Sequence, residues 1–366
     1  MDRRPGPYPV VRVSGGPEER GRAYGAAART RIHRSLAGYE KVFRHHAGWD
    51  WPTVRAHASR YAPVIEEFAP SSAREIAAIA AGAGVETDDI LALNTRSEIM
   101  FAARLPGAAA LAAECTSFAV APHRTADGTV TAGQNWDWLE QSRDSVLVLK
   151  VQRSDGPDFV TIVEAGMLAK VGLNSAGVGL CTNTLVSDGD EGRLGVPYHV
   201  LLRSVLDSVS GAAAAAQVRA ADRANSANYV IVDDTGFMVD LETAPFTGGS
   251  RAVAEDDGIL AHANHFVCEG LTGTDRYLER KPHSLDRLGN LAGSLNHGGA
   301  LTTGELRVAL ADHRDFPMSV CQHADTDVVQ EERTCTLAGV LLDVGARQMS
   351  FTSGNPCTEP WVEVGV

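Results

Sequence analysis

Glu114-Cys115-Thr116-Ser117-Phe118-Ala119-Val120, a polar turn, then Gly133-Gln134-Asn135-Trp136-Asp137-Trp138 is the stretch at which this chain changes its period. Upstream, apolar residues recur at three- and four-residue spacing. Pro17 opens a pattern running through Tyr24, Ile32, Tyr39 and Phe43, and Pro52 opens a second through Val54, Tyr61, Ile65 and Phe68. Such spacing predicts amphipathic helices. Ser72-x-x-Glu75 has the form of a capping box for a third helix ended by Gly82 and Gly84, and Thr87-Asp88-Asp89 opens a fourth reaching Ile99. The first hundred residues are therefore expected to be helical. Residues 104–114 carry Pro and Gly at their entry and no polar face, as a connecting segment would.

Downstream, short strands are expected at 116–121, 129–132, 146–151, 159–163 and 171–182, with hairpin turns at Ala126-Asp127-Gly128 and Ser154-Asp155-Gly156. Helices are expected over 197–209 and 211–223. A hairpin follows around Asp233-Asp234-Thr235-Gly236, then a strand ending at Asn264-His265, helical stretches over 275–295 and 303–313, and a final meander at 334–342 and 347–351. Elements in blocks rather than strict alternation give an α+β class, antiparallel sheets covered by helices.

Composition narrows the function. The 366 residues are 44% hydrophobic with a formal net charge of -13. That is enough for a sizeable core, and it lacks the concentrated Lys and Arg that nucleic acid requires. No apolar run approaches a membrane span, and the charged start has no apolar signal region behind it, so a cytoplasmic protein with neither nucleic-acid nor membrane partners is expected. Six cysteines (115, 181, 268, 321, 335, 357) lie far apart without a Cys-x-x-Cys pair. They suggest neither a disulfide framework nor a zinc ribbon. His262-x-x-His265 would place its side chains on opposite faces of a strand, so no metal and no cofactor is implied. His45-His46 reads as a surface pair.

Cys115 has three readings from the residues alone. It could be a small buried core residue, the nucleophile of a Cys-His-Asn hydrolase using Asn264 and His265, or a remnant in a binding protein that never reacts. The ordered motifs add a fourth. Glu114-Cys115-Thr116-Ser117 with Gly133 to Trp138, Glu164-Ala165-Gly166, Lys170-Val171-Gly172, Asn174-Ser175-Ala176-Gly177, Asn183, Gly195-Val196-Pro197, His262-Ala263-Asn264-His265 and Phe316 to Cys321 resemble, in this order, the acyl-coenzyme A:6-aminopenicillanate acyltransferase family of N-terminal nucleophile (Ntn) hydrolases.

The resemblance implies an αββα sandwich and a precursor that cuts itself between Glu114 and Cys115. Residues 1–114 would become one subunit and 115–366 the catalytic one, the two remaining one compact assembly. A freed α-amine, with a pKa of about 7.7 to 8, could serve as the base for the Cys115 thiol. The enzyme would then form an acyl-enzyme from a small-molecule amide or acyl-CoA-type thioester and pass the acyl group to water or an amine. By the same resemblance Asn264 would donate its NH2 to the oxyanion, Asn183 and Asn135 would assist or bind substrate, and Asp137 would orient the amino end. Arg333 is a further candidate, for a substrate carboxylate. Two departures stand out: Glu114 and Gln322 occupy positions where the penicillin-forming members carry Gly and Arg.

Overall fold

The computed structural model describes residues 6–103, 114–245, 247–252, 257–268 and 273–366. In chain order, a short strand β1 (Val10–Gly15) precedes helices α1 (Pro17–Ala27), α2 (Arg29–Ala47), α3 (Trp51–Ala58), α4 (Ala62–Phe68), α5 (Pro70–Ala83), α6 (Thr87–Asn94) and α7 (Arg96–Ala102). Then come strands β2 (Glu114–Val120), β3 (Thr131–Leu139), β4 (Val146–Arg153), β5 (Phe159–Glu164), β6 (Val171–Asn174) and β7 (Val178–Thr184), and helices α8 (Tyr198–Leu206) and α9 (Gly211–Ala220). The chain closes with β8 (Ala227–Asp233), β9 (Met238–Ala244), β10 (Thr247–Ala252), β11 (Ile259–His262), α10 (His283–Leu295), α11 (Thr303–Leu310), β12 (Thr334–Asp343), β13 (Gln348–Phe351) and β14 (Val362–Gly365).

Among the described residues the strands form two sheets, ordered β1-β4-β5-β6-β7-β8-β9-β10 and β11-β2-β3-β12-β13-β14. Every pairing is antiparallel except β1 with β4. The sheets face one another through β2, β3, β7 and β8. Helices α8 and α9 cover the outer side of the first sheet, and α10 and α11 that of the second. The layers are therefore αββα. All residues of β2 and β3 are buried, as strands enclosed on both faces must be. Along β2, Cys115 and Ala119 join the core between the sheets, while Phe118 and Val120 pack with Leu291, Leu295 and Leu310 beneath the outer helices. This period-two alternation decides which side of the sheet each functional group can serve.

The N-terminal third is mostly helical but differs from expectation in several places, and the fourth expected helix is split at Thr95 into α6 and α7. The predicted long first helix breaks at Ala28. The second breaks at a turn over Ser59–Tyr61, where Pro63 lacks the N–H that a continuous helix would need. And β1, unforeseen, supplies the parallel edge strand. The supposed capping box is no cap: Ser72 and Glu75 lie buried inside α5, and Glu75 accepts from Arg20 of α1 (2.7 Å) and Arg203 of α8 (3.0 Å). Gly82 does not end the helix; Gly84, at φ +72°, caps it. A Cβ on Gly82 would lie 2.2 Å from the Arg22 carbonyl, and one on Gly25 2.1 Å from that of Ile79. These two glycines let α1 and α5 cross at backbone contact. The connecting segment read at 104–114 lies, up to residue 113, outside the described residues. No described helix is long and apolar enough to cross a membrane.

Candidate active site

Cys115 is the second residue of β2, and both of its backbone polar groups are held. Its backbone N–H donates to Asn264 Oδ1 (2.7 Å). Its carbonyl accepts from Asn183 Nδ2 (2.9 Å) and Arg287 Nη1 (2.8 Å). Register explains the convergence. Cys115 pairs with Trp136 of β3, His262 of β11 pairs with Ser117, and two residues further on the chain brings Asn264 level with Cys115. Asn183 arrives from β7 of the facing sheet and also accepts from Ser117 Oγ (2.5 Å). Arg287 joins the parts: its guanidinium reaches the Cys115 carbonyl, Thr116 Oγ1 (2.8 Å) and Asn264 Oδ1 (2.9 Å). A planar fork can serve several fixed acceptors at once, which an ammonium cannot do.

Glu114, on the other side of the candidate scissile bond, is buried and clamped. Lys281 Nζ lies 2.5 Å and His283 Nε2 2.6 Å from its two carboxylate oxygens, and Thr334 Oγ1 lies 3.3 Å away. Burial alone would raise this carboxyl, but the Lys281 and His283 charges outweigh it and hold Glu114 far below the usual carboxylate range. Asp137 pairs with Glu114 in register and so lies on the same side of the sheet. Burial pushes it up to about 8 despite Arg287 and the Thr336 hydroxyl, which donates to Oδ1 at 2.6 Å. Its Oδ2 is buried without a partner.

On the opposite side, burial raises the Cys115 thiol, and the strongest opposing influence is the charge of Lys170. Burial brings Lys170 down to about 8, and its Nζ lies 3.3 Å from the Tyr198 hydroxyl and over that ring. A buried amine with a pKa so near neutrality, whose charge acts on the thiol, is a candidate proton acceptor.

Of the sequence candidates, the structure brings together Cys115, Asn183, Asn264, Asp137 and Glu114. Asn264 is turned so that Oδ1 faces Cys115 and Arg287 while Nδ2 donates to the Thr184 carbonyl (2.9 Å). Asn135 points away from the thiol and donates to the carbonyls of Leu310 and Val320 (2.7 Å each), fastening the segment after α11. Arg333 is occupied by the carbonyls of Val328 (2.8 Å) and Thr326 (2.9 Å). The two histidines of His262-x-x-His265 have separate partners: His262 Nε2 meets Glu242 (2.8 Å) and His265 Nδ1 meets Ser284 Oγ (2.8 Å). Neither imidazole is offered to the thiol as a Cys-His-Asn hydrolase would require.

Sequence reasoning missed Arg287, Lys170, Lys281 and His283. Two left a signal. Arg287 occupies the buried stripe of α10 with Ser284, Leu291 and Leu295, and an arginine on the apolar face of a helix needs a buried acceptor. Lys170 stands within a motif that the sequence singles out.

A cysteine at the start of a central strand, between the sheets of an αββα sandwich, with asparagines on both sides of its backbone, is the arrangement of an Ntn hydrolase. Comparison with known proteins narrows the class. The sequence profile of the "Acyl-coenzyme A:6-aminopenicillanic acid acyl-transferase" family matches residues 124–358. The 40 kDa form of acyl-coenzyme A:6-aminopenicillanic-acid-acyltransferase from Emericella nidulans is 26% identical over 347 residues, 94% of this chain and 92% of that protein. Among solved structures, a variant of conjugated bile acid hydrolase from Clostridium perfringens overlaps 69% of this chain and 97% of its own at 14% identity, with a TM-score of 0.47. Penicillin V acylase from Agrobacterium tumefaciens overlaps 69% and 86% at 12% identity, with a TM-score of 0.44. The chain belongs to the acyl-coenzyme A:6-aminopenicillanic acid acyl-transferase family of enzymes.

Proposed function

We propose that Cys115 is the nucleophile of a self-processing amidohydrolase or acyltransferase. The single observation carrying this reading is the fixation of the Cys115 backbone, at its N–H by Asn264 and at its carbonyl by Asn183 with Arg287. In the first event the thiol gives up its proton and attacks the Glu114 carbonyl. The C–N bond breaks with the proton returned to nitrogen, and water hydrolyses the resulting thioester. In the uncut chain the Cys115 nitrogen is a peptide amide and no base, so a different group must take the first proton; Lys170, down at about 8, is suited to it.

Cleavage then makes Cys115 an amino-terminal residue. Its new ammonium can be met by Asn264 Oδ1, already turned toward it, and by the partnerless Oδ2 of Asp137. The mature thiol attacks a small-molecule amide or acyl-CoA-type thioester, expels amine or thiol, and holds the acyl group as a thioester until water or an amine removes it. Residues 1–114 remain as the partner subunit.

The test is the intact mass of the purified protein beside Cys115→Ala. The chain of 38.8 kDa, divided in proportion at residue 114, should give fragments of roughly 12 and 27 kDa, the larger beginning at Cys115, and none in the variant. A wild-type chain left whole after prolonged incubation would overturn self-processing. A whole chain that also leaves Cys115 unlabelled by a substrate-like thioester would overturn the nucleophile.

A further inference from the structure

On the far side of the second sheet, four side chains from three separate segments converge: His313 after α11, Cys321 and His323 in the following loop, and Cys357 near the C-terminus. The Nε2 atoms of His313 and His323 are 3.1 Å apart. The sulfurs of Cys321 and Cys357 are 3.6 Å apart. His323 Nε2 lies 3.4 Å from the Cys357 sulfur and 3.8 Å from that of Cys321, and all four ligand atoms fall within 4.8 Å of one another.

A zinc tetrahedron with Zn–S near 2.3 Å and Zn–N near 2.0 to 2.1 Å has edges of about 3.8 Å between sulfurs, about 3.6 Å between sulfur and nitrogen, and about 3.4 Å between nitrogens. Each of the four separations above lies within about 0.3 Å of its edge. A chain of ordinary hydrogen bonds would bring neighbours together in pairs but would not gather two thiols and two imidazoles around one centre.

We propose that His313, Cys321, His323 and Cys357 form a tetrahedral site for a zinc-class divalent cation. Two sulfurs and two imidazole nitrogens are the donor set that selects zinc over oxygen-seeking ions. The shell around the donors fits. Asn355 Nδ2 lies 3.5 Å from the Cys321 sulfur, close enough to donate to a thiolate, while also holding the Gln322 carbonyl at 2.7 Å. His313 is exposed, which gives the ion an entry path. Asn135 fixes the carbonyl of Val320, next to the first sulfur ligand. The ion would staple the segment after α11 to the C-terminal turn. Gln322, between two of the ligands, bonds through its N–H to Thr336 Oγ1 (2.9 Å), the hydroxyl that donates to Asp137.

The spacing in sequence, His-x7-Cys-x-His-x33-Cys, has no paired motif, so only the fold reveals the group. The experiment uses the full-length protein, purified under reducing conditions, stripped with a chelator and titrated anaerobically with Co2+. The expected result is saturation at about one equivalent per chain, with the visible bands of tetrahedral Co2+ and a thiolate-to-metal charge-transfer band in the near ultraviolet. Added Zn2+ should displace the cobalt, and Mg2+ should not. Cys115→Ala should leave this spectrum unchanged; Cys357→Ser should abolish the charge transfer from one thiolate, and His313→Ala should weaken binding. Three outcomes would overturn the proposal: an octahedral spectrum only, a tetrahedral one lost in Cys115→Ala but kept in Cys357→Ser, or a Cys321–Cys357 disulfide whose reduced form takes up no metal. If Cys357→Ser proves unstable, the wild-type titration and the Cys115→Ala control still decide.

Discussion

Removing the clamp on Glu114 should be felt as a loss of stability of measurable size. Glu114→Gln keeps the shape of the side chain but takes its charge from between Lys281 and His283, leaving a buried ammonium with one carboxylate fewer. Breaking one partner of a buried ion pair costs about 3 to 5 kcal/mol. At about 2.1 cal/mol/K per residue, the 366 residues carry an unfolding entropy of about 0.8 kcal/mol/K, so the melting midpoint should fall by roughly 4 to 6 °C. The assay is thermal unfolding in a Cys115→Ala background, which keeps the chain joined, for Glu114→Gln, Lys281→Met and the pair together. The double variant should lose less than the sum, because the two single changes remove the same Glu114–Lys281 attraction. The pH dependence has a definite sign. Glu114 is depressed in the folded chain, so its contribution is complete above the unfolded value of 4.5 and drains away as pH falls below it. The gap between Glu114 and Gln should therefore close in acid and stay constant from neutral pH upward. A midpoint shift under about 1 °C, or a coupling under about 0.5 kcal/mol, would refute the reasoning that the clamp is a working ion pair.

Two further outcomes follow from the site. Lys170→Met removes the charge that opposes burial of the thiol, so the pH at which self-cleavage reaches half its maximal rate should move upward; an unchanged or lowered midpoint, read from gel time courses across pH, would discard Lys170 as the group governing the thiol. Arg287→Lys preserves charge but not the fork joining the Cys115 carbonyl, Thr116 and Asn264, and losing about two charge-assisted hydrogen bonds at roughly 1.5 to 3 kcal/mol each should slow processing at least a hundredfold. Wild-type processing rates in Arg287→Lys would show that the fork is dispensable.

Much of this architecture could be read from local signals, and the failures share a cause. Strands β2, β7 and β12, the hairpins and Cys115 with Asn183 and Asn264 carry alternation, turn residues or ordered motifs, whereas β3, expected at 129–132, runs over Thr131–Leu139. β1 alternates only over Val11-Arg12-Val13-Ser14, and it pairs with a strand more than a hundred residues away, so no hairpin announces it. Gly82 reads as a terminator when viewed along one helix and as a contact only when α1 lies across it. The helix expected from Asp275 begins at His283; the preceding residues are held by side chains, with Asp275 accepting from the backbone amides of Phe266 and Tyr277. The ordered motifs tie Asn264 to donation toward an oxyanion, yet Arg287, whose position no spacing reveals, gives its oxygen a partner and fixes which end of the amide faces Cys115.

The placement of β1 has a consequence for what a cut at Glu114 could release. Val10–Gly15 forms one border of the eight-stranded sheet, and Arg20, Glu75 and Arg203 tie α1 and α5 to α8 through buried charges. Tyr39 and Arg96 likewise share Glu164 of β5. The strand and helices that precede Glu114 are thus woven into the body of the catalytic portion. Hydrolysing the peptide link would change the number of chains without creating a detachable piece, and the two products would melt, migrate and refold as a single cooperative object. Recombining separately made halves should then require that they fold around each other, as complementing fragments do.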